Sequence, residues 1–586
     1  MPIAQFHIRT TWLLALLLLA GSAAAGEPPA MASEPSGAAP DKLLFVSDNF
    51  ANPERVTATL AVLDRIAKAG YNGIFLTDCK FYRWNEVDRA AYTANLQKIR
   101  TRCRELNLKV LITVMNFGTD MLSNDTNLAE GMPVVDAPFV ARGGKLVPAD
   151  EDCKIVNGSF EESGRPNHPT GWNAPFLFER YFLDTEAKTD GKQSIRIEGH
   201  NSMRQNIKVK PWRYYHLTMK IKTQDLKPTT NFFLSVSSVD NTRQLLNDDE
   251  HVNETQEWTP VSYVFNTLDL NEIAISFGNY GDSKGKLWFD DVKVEPGGFV
   301  NLIRREGAPF KLTSDDGKTV YEENKDFANA SDPQLGNVDI KGIYRPWHVA
   351  PVVTIPAGSK IAEGQVVRAS YCHSITTFGA ATAVCFNEPK IWTLAKDNLV
   401  TMHKVLQPDG YILPHDEIRH MGFDASCCKA NLPMSKVLAD NIKRSIAMVR
   451  AEDPGKPVYA WSDMFDPNHN AQKTGLYHLV KGEGPWYGAW EGLDKDVIIF
   501  NWHSSDITHP GDRVETLKFF ADRGNKQILC GYYDGAVDAI VPWMKDAAQV
   551  KGANGVMYTT WGQNYSEVEN FMNVINKNAP AAVPSH

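Results

Sequence analysis

Short apolar runs alternate with amphipathic stretches over residues 41–115. Leu43-Leu44-Phe45-Val46, Gly73-Ile74-Phe75-Leu76 and Lys109–Met115 read as buried strands. Between them, Val56–Ala69 repeats its apolar residues at helical spacing and stops at Gly70, and 87–106 does the same. Strand, helix, strand, helix, strand in this order predicts parallel strands joined by crossovers. The texture changes at Asn157, where short runs of period two separated by polar turns replace the helical spacing. It stays β-rich through 372, with turns at Pro356-Ala357-Gly358 and Glu363-Gly364.

The α/β rhythm returns after residue 390. A helix at 391–407 and a turn at Pro408-Asp409-Gly410 lead to a strand at 411–415. A helix at 432–451 leads to Val458-Tyr459-Ala460-Trp461, and further strands follow at 497–500, 527–530 and 555–558. Three strands before the β-rich segment and five after it make eight. The expected fold class is therefore α/β, a (β/α)8 TIM barrel interrupted after strand 3 by an all-β sandwich insert. The run 366–371 is assigned to the insert, because counting it with the barrel would give nine. The expected division is barrel at 41–150, sandwich at 154–298, a second small β-domain or extension at 299–372, and barrel again at 373–580.

Met1–Ala25 reads as a secretory signal. His7 and Arg9 precede an apolar core from Trp12 to Ala20, and Ala23-Ala24-Ala25 supplies small residues before a cut. A Pro/Ala/Gly/Ser-rich lead-in covers 26–40. The expectation is a secreted or periplasmic protein, with no later run near the roughly 20 apolar residues that span a bilayer. A net charge of −9 gives no reason to expect nucleic acid. The eight cysteines show no CxxC pair and no zinc spacing, so neither a metal nor another cofactor is expected; export permits disulfides without revealing their pairing.

Acids and aromatics recur just after the predicted strands. The series runs Ser47-Asp48-Asn49, Thr77-Asp78, Met115-Asn116-Phe117, His415-Asp416-Glu417, Trp461-Ser462-Asp463, Asn501-Trp502-His503, Tyr532-Tyr533-Asp534 and Thr560-Trp561-Gly562-Gln563. A barrel needs apolar residues inside but not this series at one end, where catalytic groups of parallel barrels sit. Fourteen Trp and nineteen Tyr suit a sugar pocket, because aromatic faces stack on sugar C–H faces, although most aromatics simply fill cores. Arg419 is placed to neutralise one acid of the Asp416-Glu417 pair, and a lone histidine such as His415 is more often a structural hydrogen-bond partner.

Two resemblances extend this reading. Asn157-Gly158-Ser159-Phe160-Glu161, Gly171-Trp172, Pro211-Trp212-Arg213-Tyr214-Tyr215 and Leu287-Trp288-Phe289-Asp290-Asp291-Val292 resemble jelly-roll carbohydrate-binding modules of the family 4/9 type. The Asp-Glu pair after strand four, Trp-x-Asp after strand five, Tyr-x-Asp after strand seven and Trp-x-polar after strand eight resemble glycoside hydrolase family 20, the β-N-acetylhexosaminidases. That resemblance implies a substrate-assisted reaction, an exception to the usual two-carboxylate scheme. Glu417 would be the general acid and Asp416 would orient the 2-acetamido group. Tyr532 would bond the acetamido oxygen, while Trp461, Trp502 and Trp561 would wall the sugar. Asp463 and Asp534 would hold pocket residues or hydroxyls, Asp78 would support the site, and Gln563 would stand where the family has glutamate. The partner implied is a glycan. The adjacent carboxylates are expected to raise one another, leaving Glu417 protonated and Asp416 ionised. The family's arginine after strand one is replaced by Asp48-Asn49, and Arg83 or Lys80 are the candidate substitutes.

Two other readings compete. Asn387-Glu388-Pro389 resembles the strand-four motif of two-carboxylate retaining glycosidases, but the second glutamate is missing after the matching later strand, and Glu388-Pro389 also suits a helix start. The third reading is a non-catalytic glycan-binding protein built on a decayed barrel.

Overall fold

The computed structural model describes residues 40–578, except 118–120, 123–124, 150–152, 166, 175–179, 249–251, 282, 329, 337–346, 377–381, 430, 504–509 and 532–535. The expected export signal at 1–25 and nearly all of the lead-in at 26–40 lie outside the described residues, as do Tyr532 and Asp534. Among the described residues, no helix is long and apolar enough to cross a membrane.

Eight strands close a barrel: β1 (Asp41–Ser47), β2 (Gly73–Thr77), β3 (Lys109–Thr113), β4 (Gly410–Leu413), β5 (Val458–Trp461), β6 (Ile498–Asn501), β7 (Gln527–Leu529) and β8 (Ala553–Tyr558). All neighbours run parallel, and β1 closes the ring against β8 with Leu43 opposite Met557. The continuous apolar runs follow from burial on both faces. Leu43, Phe45, Phe75, Leu111, Ile412, Tyr459, Phe500, Ile528 and Met557 fill the barrel, while Leu44, Val46, Ile74, Leu76, Val110 and Ile112 pack into the outer core. Aromatic rings interlock inside: Phe45 meets Phe75 edge-on at 4.9 Å, and Phe75 stacks on Phe500 at 5.5 Å.

Seven helices contribute to the outer layer: α1 (Pro53–Ala69), α2 (Arg89–Glu105), α3 (Pro389–Leu406), α4 (Met434–Glu452), α5 (Pro510–Arg523), α6 (Ile540–Ala547) and α7 (Val568–Asn578). The Asn52 side chain caps α1 through the amide of Glu54, and Gly70 ends it in the left-handed region at φ 95°, where glycine carries no Cβ penalty. The β5–β6 connection breaks the alternation. It carries no α-helix, only 3₁₀ turns at Asp463–Phe465 and Ala489–Gly492 and a two-residue strand at Leu479–Val480.

The chain leaves the barrel after β3 and re-enters beside it, with Tyr411 of β4 opposite Ile112 of β3. The intervening residues build two β units. A four-stranded and a five-stranded sheet, from Tyr181–Asp184 to Lys284–Pro296, enclose a core that includes Phe160, Trp172, Tyr215, Phe265, Phe277 and Phe289. A six-stranded sheet joins Met132–Arg142 and Lys145–Pro148 to Val366–His373, Lys311–Ser314 and Val320–Tyr321, with Leu302–Ile303 paired at its side. This corrects the expected boundary at residue 150. The barrel's first part ends at β3, because the alternating segment 132–148 finds its partner in Val366–His373, on the far side of the sandwich.

Candidate functional site

Three carboxyls meet beyond the ends of β4 and β5. Pro414 ends the first strand, and Glu417 then adopts φ 47°, a left-handed conformation uncommon for a residue with a side chain. The turn is fixed from the next strand, since the Glu417 amide donates to Asp463 Oδ2 at 2.9 Å. Asn470 Nδ2 donates to the same oxygen at 3.0 Å. Asp463 is fully buried and its Oδ1 has no hydrogen-bond partner. Burial, together with the charges of Asp416 and Glu417, holds its carboxyl well above the usual range. Met115 after β3 and Gln563 after β8 are also left-handed, at φ 53° and 56°. Non-glycine residues in that region cluster at functional sites.

Burial and the neighbouring Glu417 push Asp416 up to about 6. The direction is the one expected of adjacent carboxylates, and a carboxyl at about 6 still ionises below neutral pH. Desolvation acts on Asp416 in its half-buried place, whereas Glu417 is 40% exposed and lies against Arg419, Oε2 to Nη2 at 2.6 Å. Arg419 does neutralise one acid of the pair. His415 is a structural partner: it is buried, bonded through Nε2 to Asn441 Oδ1 at 2.8 Å, and burial lowers it to about 4, so it stays neutral near pH 7.

The other expected residues divide. Trp461 is 4% exposed and packs on Phe75 and Phe500 inside the barrel, so it belongs to the core beneath the acids and does not wall an open pocket. Trp502 is half-buried, edge-on to His469 at 4.7 Å, and its amide donates to Ser462 Oγ. Trp561 is 45% exposed, with its ring 4.8 Å from Phe45. Asp78 is occupied by the fold: Oδ2 accepts from the Phe50 amide and Tyr92 hydroxyl, and Oδ1 from the Lys80 amide, so its support of the site is through the loops after β1 and β2. Lys80 also pairs with Asp78, and Arg83 is buried near Glu86.

Two residues at this end escape a strand-by-strand reading of sequence. Arg55, in the first turn of α1, donates to Asp48 Oδ1 at 2.7 Å and also to Gln563 Oε1, linking the loops after β1 and β8. The signal was an arginine seven residues beyond Asp48, hidden because it stands in a helix. Tyr477, in the β5–β6 connection, lies in the field of Asp463, Glu417, Asp416 and Arg419; burial first and then the three acids hold its phenol protonated. No motif marked it.

Glu388 sits at the N-cap of α3 and bonds Arg305 Nη1 at 2.9 Å and Ser426 Oγ at 3.2 Å. It is therefore a helix-start residue held in an ion pair. In the sandwich, Trp172 and Trp288 are core residues, whereas Tyr280 is 41% exposed and stacks on Phe233 at 4.0 Å.

Residues 169–294 match a carbohydrate-binding module family 4/9 profile described as BppA domain 1. Among solved structures, a family 4 carbohydrate-binding module is similar at 19% identity and TM-score 0.19, with 24% of this chain and 99% of that chain covered. A family 16 carbohydrate-binding module is similar at 23% identity and TM-score 0.19, covering 24% and 98%. The CBM61 module in complex with β-1,4-galactotriose is similar at 13% identity and TM-score 0.19, covering 24% and 97%. No curated protein sequence matches the chain.

Proposed function

We propose that the chain is an exported glycoside hydrolase that binds glycan through its family 4/9-type domain. Its barrel is of the (β/α)8 TIM type and cleaves β-linked N-acetylhexosamine by substrate assistance. The observation that carries this reading is the cluster of Asp416, Glu417 and Asp463, with Arg419 paired to Glu417 and in the field of Asp416. Crowded carboxyls of this kind serve acid–base chemistry more readily than stability.

In this reading Glu417 protonates the departing glycosidic oxygen while the substrate's acetamido carbonyl attacks the anomeric carbon. Asp416 holds the acetamido N–H and balances the positive charge of the oxazolinium. Arg419 steadies the carboxylate that Glu417 becomes. Glu417 then takes the proton of the water that opens the ring. Asp463 is a positioning residue, acting through the Glu417 amide. Tyr477, held protonated, is placed to donate to the acetamido oxygen, the role expected of Tyr532. Trp561 supplies an open ring for the sugar face, and Arg55 supplies a cation where the family's arginine is missing.

A second reading, glycan binding without hydrolysis, is favoured by the Arg419–Glu417 ion pair. The test is hydrolysis of aryl β-glycosides of N-acetylglucosamine, N-acetylgalactosamine, glucose and galactose, with wild type and Glu417→Gln side by side and a thiazoline analogue of the oxazolinium as inhibitor. Cleavage confined to the 2-acetamido sugars, blocked by thiazoline and lost in the variant, supports the proposal. Thiazoline-insensitive cleavage of the plain glycosides overturns it. Binding of intact glycans without any cleavage establishes the second reading.

A further inference from the structure

Away from the three acids, a second cluster lies where the insert joins the barrel. Glu130, Cys385, Asp424 and Cys427 are all buried, and one ligand-type atom from each lies within 4.8 Å of the others. They come from three places: Glu130 just before Met132–Arg142, Cys385 just before α3, and, beyond β4, Cys427 in the short helix Ala425–Lys429 with Asp424 directly before it. The departing and returning segments are bonded to each other here, Glu130 N to Ala383 O at 2.8 Å and Cys385 N to Leu128 O at 2.9 Å.

We propose that these four side chains form a structural site for a divalent cation of the zinc class, bound by two thiolates and two carboxylates. Cys385 Sγ and Cys427 Sγ are 3.5 Å apart, Cys427 Sγ is 3.1 Å from Glu130 Oε2, and Cys385 Sγ is 3.5 Å from Asp424 Oδ1. Around a tetrahedral zinc with bonds of about 2.0–2.3 Å, adjacent ligand atoms stand roughly 3.3–3.8 Å apart, so small side-chain adjustments suffice.

The surrounding groups orient the carboxylates. Glu130 Oε1 accepts from the amides of Gly422 and Phe423 at 2.8 and 2.9 Å, which turns Oε2 toward the sulfurs. Asp424 Oδ2 accepts from Gly131 N at 3.1 Å and from Arg305, which leaves Oδ1 on the sulfur side, where it also accepts from Cys427 N at 3.0 Å. Outer bonds of this type fix metal ligands in place. The site is also tightly enclosed: a Cβ at Gly131 would stand 2.9 Å from Cys372 Cβ and 3.2 Å from Asp424 Cβ. A dication plus Arg305 balances three of the four negative charges of the fully ionised ligand set. A Cys385–Cys427 disulfide is the less fitting occupant. It would remove the S–H that Cys427 directs at Glu130 Oε2 and strand that oxygen in the core. The sequence conceals the set because its members are scattered from residue 130 to 427, outside any zinc spacing. The expectation of no metal rested on that spacing alone.

The mature full-length protein, produced with zinc in the medium and purified without chelator, is assayed by elemental analysis and by zinc release to a chromogenic chelator on denaturation. Separately, metal-free protein is titrated with Co²⁺. The proposal requires close to one zinc per chain, and sulfur-to-cobalt charge-transfer bands with tetrahedral d–d absorption. Both are to be lost in Cys427→Ser. Glu130→Gln keeps both thiols and an acceptor for the Gly422 and Phe423 amides, so it tests the ligand role if the cysteine variant does not fold; its zinc affinity should fall at least tenfold. Substoichiometric zinc together with no cobalt spectrum and a full complement of alkylatable thiols overturns the proposal. So does an intact mass about 2 Da below the reduced formula with Cys385 and Cys427 in one disulfide-linked peptide pair.

Discussion

The backbone amide of Glu417 is held by the side chain of Asp463, 2.9 Å away on the neighbouring strand's loop. A residue with φ 47° depends on such a contact, because the left-handed backbone alone disfavours a side chain. Asp463→Ala leaves that amide and Asn470 Nδ2 without their acceptor, at a cost of about 1–3 kcal/mol in unfolding free energy. Asp463→Asn keeps an acceptor oxygen and should recover most of the stability. If Asp463 works by positioning Glu417, kcat falls roughly 10²-fold in the alanine variant and less in the asparagine variant, with KM little changed. Equal loss in both variants would assign the role to charge.

Stability should carry the imprint of Asp416. Its folded value of about 6 lies above the ordinary 3.8, so between those pH values the folded chain keeps a proton the unfolded chain has released. Its contribution to stability is intact below about pH 4 and is lost as pH rises to about 6. Asp416→Asn removes this titration. The Tm of the variant minus that of wild type should climb between pH 4 and pH 7, and a flat difference would contradict the placement of Asp416. Subtracting the two profiles also cancels His415, whose lowered value of about 4 works against folding as pH falls.

Arg55 predicts a split in kinetics. Its side chain is 40% exposed, so loss of its pairs with Asp48 and Gln563 should cost at most about 1 kcal/mol in stability. As the cation at the mouth, it should matter for substrate. Arg55→Ala is expected to raise KM about tenfold with kcat within a factor of three, one lost charged hydrogen bond being worth about 1.5–3 kcal/mol. Lysine should rescue only partly, since a point charge cannot span both partners. An unchanged KM would leave Arg55 a surface tether.

Glu388 and Arg305 separate the two glycosidase schemes. Glu388→Gln should retain turnover, because the glutamate is a helix-start residue tied to Arg305 and Ser426. Arg305→Met, by contrast, leaves the buried Asp424 without its partner and should destabilise by about 3–5 kcal/mol, read as a lower urea midpoint. Abolished turnover in a folded Glu388→Gln would restore the two-carboxylate scheme.

Trp461 is the last residue of β5, whereas Trp561 lies three residues beyond β8, and the two differ in burial. Trp461→Ala empties part of the core at about 3–5 kcal/mol, whereas Trp561→Ala should leave the Tm nearly unchanged and weaken sugar binding. Thermal denaturation with and without bound sugar distinguishes the two.

The barrel strands were legible because each must be apolar on both faces, which gives four-residue runs such as Leu43–Val46 that few other settings produce. The pair Asp416-Glu417 stood out for the same reason: charge at the end of such a run is conspicuous. Burial was not legible. Trp461 and Trp561 both stand near the carboxyl end of a barrel strand, and packing separates the core ring from the exposed one. Neither Arg55 nor Tyr477 could be found by reading strand ends, since one approaches from a helix and the other from the long β5–β6 connection. The assignment of 132–148 to the barrel failed because alternation identifies a strand without naming its partner, and here the partner is Val366–His373.

The direct pairing of β3 with β4 has a consequence during synthesis. Roughly 300 residues must be made after β3 before its neighbour emerges, on the order of 15–60 s at common translation rates of about 5–20 residues per second. For that interval the nascent chain presents β1, β2 and β3 with open edges and an uncovered apolar face, the state most prone to wrong pairing. The sandwich, whose strands find their partners within their own segment, can fold while the edges wait. Domain order on the ribosome is thus outer module first and barrel last, so mutations that delay the module should appear as aggregation of a barrel they never touch.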